Sequence, residues 1–428
     1  MQDVAEKELV DRDYFTDASI LLDPYQYFEA LREKGPVYRL PGRDIFMVTG
    51  FAESLEVLNN TVDFSSVVAT GGPAWPLPFN PEGDNLTSQI EAHRGDFLGA
   101  ELLVALDDRP HNNSRALLSR LFVPSRLKAN EAYMLGLAET LVNAAVAKGG
   151  CDLIKDIAVP FATLVVADLL GVPDDDRDHF MEVIAAGPPP GSLDSAVSDE
   201  SHQPLAVMAG FFVNYLIDRK QNPRDDVLTE LATASYPDGT TPDIAELVCL
   251  STFLFGAGQD TTAKLLGNAM RFLLEVPGLE AQLRADPALL PAFIEEVLRL
   301  EGSTKMTARL ARKTTSVGGI EIPIGTKVMV ALAAANRDPR RWENPRDFVL
   351  NRPRVKENLA FGRGAHVCIG NPLARVEVRI IFEKLFELTS EIAYDVAEHG
   401  SSGQHHFDYE SSFIIRGLEK LRLTMTPR

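Results

Sequence analysis

The chain has 428 residues, 42 of them basic and 61 acidic, for a formal net charge of −19; 45% are hydrophobic and 24% charged. So acidic a protein makes a poor nucleic-acid binder, because phosphate contact needs a basic face, and anionic membranes would repel it. The proportions are those of a globular protein that buries a large core without disulfide or metal staples, and at ~150 residues per domain the length alone suggests two or three domains.

Met1 to Thr16 is acidic and polar, with no apolar signal core, and no run reaches the ~20 apolar residues of a membrane span. Three cysteines, Cys151, Cys249 and Cys368, are too few for a disulfide framework and point to a reducing, cytoplasmic setting. Apolar residues recur at helical spacing along most of the chain, so the fold class is mainly α, with small β elements at the edge. Asp23 is placed to cap a helix over 24–34. Val37-Tyr38-Arg39-Leu40 and Ile45-Phe46-Met47-Val48 predict a hairpin turned by Pro41-Gly42-Arg43-Asp44. Ser65 to Asn85 is rich in glycine and proline, interleaved with Trp75, Leu77 and Phe79, as lids and binding loops are. His111 and Arg115 lie four apart at the start of a helical pattern, where they share a face that can clamp an anion. Gly187-Pro188-Pro189-Pro190-Gly191 interrupts two helical patterns.

Thr241-Pro242-Asp243 predicts the start of a long helix, with a cap and then proline in the first position. Within it, Ala257-Gly258-Gln259-Asp260-Thr261-Thr262 weakens the helix with glycine and β-branched residues. Thr261 can turn its hydroxyl to the carbonyl of Ala257, which predicts a local bulge holding an acid, Asp260, and an alcohol beside a glycine gap. Close packing against a second helix is the other reading of that gap. Glu296 and Arg299 stand one turn apart among apolar neighbours, which predicts partial burial of their face. Gly319-Ile320-Glu321-Ile322 and Val328-Met329-Val330 predict a second hairpin across Pro323-Ile324-Gly325.

The segment Phe361 to Pro372 carries the chemistry. Asn371 is a good N-cap and Pro372 suits the first helical position, so a helix starts just behind Cys368. Unpaired amides and the dipole at that end stabilise a thiolate, and the three glycines let backbone wrap around whatever the sulfur touches. Zinc is disfavoured, since no CxxC or HxxxH partner exists and His405-His406 are adjacent and isolated. A nucleophilic cysteine stays open, although the sequence nominates no base for it. Cys151 and Cys249 have no such surroundings and read as buried, inert thiols.

The string F-G-x-G-x-H-x-C-x-G, complete at Phe361, Gly362, Gly364, His366, Cys368 and Gly370, resembles the haem-binding loop of the cytochrome P450 family. The resemblance implies that Cys368 is the proximal iron ligand of haem b (iron protoporphyrin IX), that His366 hydrogen-bonds a propionate and that Phe361 packs beside the sulfur. His111, Arg115 and Arg309 would hold the propionates, although Asn112-Asn113-Ser114 replaces a more basic run. Ala257-Gly258-Gln259-Asp260-Thr261-Thr262 matches the family's A-G-x-D-T-T; dioxygen would be activated in its gap, beside Ala257, with Asp260 and Thr261 organising proton delivery. Glu296 and Arg299, with Arg352 as third partner after Pro345-Arg346-Asp347-Phe348, would be scaffold behind the haem, led into by Ala335-Asn336-Arg337-Asp338-Pro339.

The likeness runs from about Asp23 to Met425, with four motifs in order. It therefore replaces the two or three domains suggested by length with one haem domain over 1–428: the cytochrome P450 fold, a helical body around haem with small β-sheets at the edge and no fused reductase. Electrons would come from a ferredoxin with its reductase, met by a basic patch of Arg115, Arg120, Arg126, Lys128, Arg363 and Arg375. The implied activity is hydroxylation or epoxidation of a small apolar or aromatic substrate with O2, in a pocket supplied with Trp75, Phe79, Phe253, Met306 and Phe413. Lys305, where family members often have Pro-Val nearby, would face solvent or an anionic substrate group. A peroxide-driven peroxygenase and a haem-based ligand sensor are the alternatives, and the intact Asp260-Thr261 pair argues against both.

Overall fold

The computed structural model describes residues 8–73, 75–185, 203–236 and 238–428, so the proline-rich break at Gly187–Gly191 lies outside the described residues. Helices dominate. The largest, Ile244–Glu275, has 32 residues and is about 48 Å long at 1.5 Å per residue. It crosses the centre of the molecule and packs against the helices Val159–Leu170 and Gln203–Gln221. Its apolar side chains and those of Pro124–Ala147, Leu290–Glu301 and Asn371–Leu388 make up the main core.

The β structure is peripheral. One five-stranded sheet runs in the order β1 (Val37–Arg39), β2 (Ile45–Val48), β8 (Lys327–Val330), β5 (Thr307–Ala311), β3 (Phe64–Ser65). A second joins β4 (Gly150–Asp152), β10 (Arg422–Pro427) and β9 (Thr389–Tyr394), and a third is the pair β6 (Thr315–Val317) and β7 (Ile320–Ile322). The first hairpin forms as expected, Val37 opposite Val48.

The second expected hairpin does not. β7 turns back on β6, not forward to β8, because Gly318 and Gly319 both take positive φ (56° and 78°) and close a two-residue turn. β8 instead inserts between β2, in parallel, and β5. Three predicted helix starts also shift by a residue or two. Pro24, not Asp23, occupies the cap before Tyr25–Lys34. Asp243, not Thr241, caps the long helix, its carboxylate accepting from the Glu246 amide at 2.8 Å. Gly370, not Asn371, occupies the cap before Asn371–Leu388, because the Asn371 side chain turns back and donates to the Cys368 carbonyl at 2.6 Å. Through 257–262 the long helix runs continuously, with no bulge.

Candidate functional site

Cys368 sits at the end of a tight loop whose amide donates back to the Phe361 carbonyl at 2.9 Å. Gly362 and Gly364 have φ of 69° and 72°. At Gly364 a Cβ would lie 2.5 Å from the Leu58 carbonyl, so glycine is required for the loop to rest on the helix Phe51–Asn59. Burial pushes the Cys368 thiol up, while the amides of Gly370 and Asn371 and the charges of Arg115 and Arg375 pull it down. These are the groups that steady a sulfur anion. Arg375 lies 4.7 Å above the Phe361 ring, which holds the front of the loop.

The sulfur opens onto a deep cavity between the cysteine loop and the long helix. Across from it, the long helix contributes Phe253, Ala257, Gly258, Thr261 and Thr262. Thr261 Oγ1 donates to the Ala257 carbonyl at 3.0 Å, as its spacing predicted, and Ser303 Oγ donates to the Thr261 carbonyl at 2.6 Å. Close packing against a second helix, the other reading of the glycine gap, is what forms: a Cβ on Gly258 would approach Val166 to 3.1 Å, and the glycine also lines the cavity, but there is no bulge. Asp260 is not among the lining residues. Its Oδ1 pairs with Lys264 Nζ at 2.6 Å on another face of the helix.

One end of the cavity is cationic. His111 and Arg115, on the helix Asp108–Ser119, meet Arg309 from β5 and His366 from the cysteine loop. The two imidazole rings are 4.1 Å apart, and His111 Nε2 is buried without a partner. His366 bonds Ser66 Oγ at 3.0 Å; burial and the charges of Arg309, His111 and Arg115 push its pKa down to about 2. Arg115 donates to the Val367 carbonyl at 2.6 Å and Arg309 to the Ala308 carbonyl at 2.7 Å, but among the described residues neither forms an ion pair. Burial pushes Arg309 down to about 10. One buried and one half-buried guanidinium, beside two imidazoles at one end of an apolar cavity, are costly alone and suited to a dianion.

Among the described residues the single acid on the wall is Glu377, on the helix Asn371–Leu388. Burial raises it to about 8, so it is neutral at pH 7 and accepts from Thr262 Oγ1 at 3.1 Å. The sequence reading missed it. A glutamate flanked by Val376 and Val378, on the turns that follow the cysteine, was the available signal.

Behind the cavity, Glu296 and Arg299 are wholly buried. Arg299 bridges both carboxylate oxygens (2.8 and 2.7 Å) and Arg352 Nε adds a third contact at 2.8 Å. The remaining Arg299 donors reach the carbonyls of Asn336, Pro345 and Asp347. The three charges thus pin the segment 336–352 to the helix Leu290–Glu301.

The expected aromatic pocket is redistributed. Phe253 lines the cavity, but Trp75, Phe79, Met306 and Phe413 do not. Trp75 is 47% exposed and borders a separate small cavity, where its carbonyl accepts from Lys327. Phe79 packs on His93 and Phe97, while Met306 and Phe413 are buried in the core between the N-terminal segment and the sheet. The cavity wall is instead largely aliphatic, with Leu103, Val166, Leu169, Leu254, Leu298 and Leu332. Lys305 meets neither solvent nor cavity. Thr304 bridges to Ile415 and lines the cavity, so the next side chain points the other way, where its Nζ donates to the carbonyls of Leu21 (2.9 Å) and Ser412. Burial pushes it down to about 7.

The basic patch also thins out. Arg115 faces the cavity, Arg126 pairs with Glu230, and Arg375 pairs with Glu295 at 2.6 Å. Arg120 and Lys128 remain exposed, and Arg363 is half-buried at the loop.

A single cysteine, two unpaired arginines and two histidines around one apolar cavity fit an iron porphyrin: one soft ligand for the metal and cations for two carboxylates. Among the described residues no group of three or more His, Cys, Asp or Glu could hold a bare metal ion.

Comparison with known proteins agrees. A family model of cytochrome P450 matches residues 201–388. The chain is 31% identical over 418 residues to cytochrome P450 144 of Mycobacterium tuberculosis, covering 97% of this chain and 92% of that protein. It is 32% identical over 408 residues to the cytochrome P450 monooxygenase PikC of Streptomyces venezuelae, covering 93% and 90%. Its fold is similar to that of Mycobacterium marinum cytochrome P450 CYP150A6, solved in the substrate-free form, with a TM-score of 0.91, 46% identity and coverage of 98% and 100%.

Proposed function

Because the chain belongs to the cytochrome P450 family and is thereby a haem-thiolate monooxygenase, we propose that it holds haem b, takes electrons from a separate ferredoxin with its reductase, and hydroxylates or epoxidises a small apolar substrate. The observation that carries this reading is the placement of Cys368, Thr261 and the His111–Arg115–Arg309–His366 cluster on the wall of one cavity. When bound, the haem supplies a redox-active iron at which dioxygen is reduced and from which one oxygen atom passes to the substrate. Among the described residues Cys368 is the single cysteine on that wall, which is compatible with a haem that has no thioether bond.

The chain's own residues do the rest. Cys368 would hold the iron, with the amides of Gly370 and Asn371 steadying its charge. His111, Arg115, Arg309 and His366 orient the group by its two carboxylates. Glu296, Arg299 and Arg352 keep the segment behind it rigid. Thr261 presents a hydroxyl at the wall that holds and passes a proton, and the neighbouring Asp260, paired with Lys264 off the wall, is the acid that would recharge it. The aliphatic side chains exclude water and select an apolar substrate, with Phe253 as the one aromatic contact from the expected set. The free cysteines suit a cytoplasmic setting, and among the described residues no helix is long and apolar enough to cross a membrane.

Thr261→Ala tests the reading. A positioned proton donor contributes ~10²–10⁴-fold, so product formed per reducing equivalent should fall about a hundredfold, with hydrogen peroxide accounting for the lost electrons and haem content unchanged. Full coupling in the variant, or equal turnover on added peroxide without reductant, contradicts it.

Salt tests the partner. Raising ionic strength from ~0.1 to ~1 M shortens the Debye length from ~10 to ~3 Å, and steering by exposed Arg120 and Lys128 should fade with it. The KM for ferredoxin should rise roughly tenfold with little change in kcat. A KM insensitive to salt rules out electrostatic docking at this face.

A further inference from the structure

Charge is confined to two parts of the cavity wall. Among the described residues every ionisable side chain on it belongs to the cationic end or to the cysteine loop and the helix behind it, where Arg363, Cys368 and Glu377 lie. The rest, including Leu103, Val104, Phe253, Ala257, Thr304 and Leu332, is neutral. With the cationic end committed to two porphyrin carboxylates, an ionised substrate group would give up its water here and meet no counter-ion. Lys305, beside Thr304 in sequence, does not supply one. It is buried on the opposite face of the strand, its Nζ held by the carbonyls of Leu21 and Ser412.

The hydroxyls on the wall are also unequal. Thr261 donates to the Ala257 carbonyl, Thr262 to Glu377 and Ser303 to the Thr261 carbonyl, while Thr307 Oγ1 accepts from Arg309 at 3.1 Å. Thr304 is half-buried, and among the described residues its hydroxyl has no hydrogen-bond partner. Its backbone, by contrast, is fixed on both sides. The Lys305 amide donates to the Ile414 carbonyl at 2.6 Å and the Arg416 amide to the Ser303 carbonyl at 2.7 Å, with the Lys305 side chain anchoring the strand from behind. A hydroxyl held this firmly offers a ligand one donor and one acceptor at little cost in ordering. We propose that the substrate is uncharged, with an aliphatic body and one oxygen, a hydroxyl or a carbonyl, and that Thr304 is the specificity-determining residue that binds this oxygen. This inference rests on the monooxygenase reading above and narrows its substrate class.

Optical titration of the ferric holoprotein, read as the shift from low to high spin, tests this without turnover. The probes share one apolar cage: adamantane, adamantanol, adamantanone and adamantane carboxylate, the last ionised at neutral pH. In wild-type protein the alcohol and the ketone should bind about tenfold tighter than the hydrocarbon, as one hydrogen bond allows. The carboxylate should bind at least a hundredfold more weakly than the alcohol. Thr304→Val keeps the shape of the side chain and removes its hydroxyl, so the Kd for the alcohol and the ketone should rise about tenfold while that for adamantane stays unchanged. Thr304→Ser should restore both. A carboxylate that binds as tightly as the alcohol, neutral oxygen-bearing probes that fail to bind, or an alcohol affinity unchanged in Thr304→Val overturns the proposal. Each of these, in holoprotein with an intact thiolate spectrum, leaves the monooxygenase reading standing, whereas loss of that spectrum in wild-type protein would overturn the reading itself.

Discussion

Cys368→Ser is expected to abolish monooxygenation, lowering product formation at least a thousandfold, which corresponds to about 4 kcal/mol of lost transition-state stabilisation. A hydroxyl at this position keeps the volume and most of the loop geometry, so the variant should fold with near-wild-type stability. What it loses is charge and polarisability. The amides of Gly370 and Asn371 and the guanidiniums of Arg115 and Arg375 all favour an anion at the sulfur, and serine stays protonated there. Cys151→Ala and Cys249→Ala serve as controls, since neither side chain lines the cavity and burial pushes both thiols up to about 12. Retained activity in Cys368→Ser, or its loss in either control, would contradict the assignment of the ligand.

Arg299→Ala should destabilise the fold by ~3–5 kcal/mol, because it removes two of the three arginine contacts of a fully buried carboxylate, leaving Glu296 with Arg352 alone, and releases three backbone carbonyls at once. The loss reaches the cavity through the segment 336–352, so haem retention should fall with the denaturation midpoint. Arg346→Ala removes an ion pair of similar geometry, 2.6 Å to Glu29, but its arginine is 71% exposed. Solvent already screens that pair, and its loss should cost no more than ~1 kcal/mol. Equal effects for the two variants would show that the buried triad is not what holds the segment in place.

Much of the site was legible because it is built from local patterns. Six fixed positions around Cys368 dictate a loop that only glycine can close, and Thr261 finds the Ala257 carbonyl through simple helical spacing. Burial of Glu296 and Arg299 follows from their apolar neighbours, whereas Arg352 was joined to them only through the family resemblance.

The misreadings share a different cause. Whether β7 pairs with β6 or β8 depends on which strand fills the place beside β2, a long-range competition that the two-residue turn at Gly318-Gly319 decides. Trp75, Phe79, Met306 and Phe413 are large and apolar, and composition cannot tell a core side chain from a cavity wall. The wall came instead from helices such as Val159–Leu170, apolar on nearly every face and so without a readable orientation. Lys305 and Lys264 were invisible for a third reason. Lysine signals solvent, and only tertiary packing reveals that carbonyls and carboxylates have replaced the water around each Nζ.

The reduced carbon-monoxide difference spectrum of the wild-type protein tests the central claim most directly. Thiolate ligation by Cys368 predicts the strongly red-shifted Soret band that distinguishes haem-thiolate proteins from those with a neutral axial ligand. A spectrum of the neutral-ligand type in freshly prepared, fully folded holoprotein would contradict the account at its base.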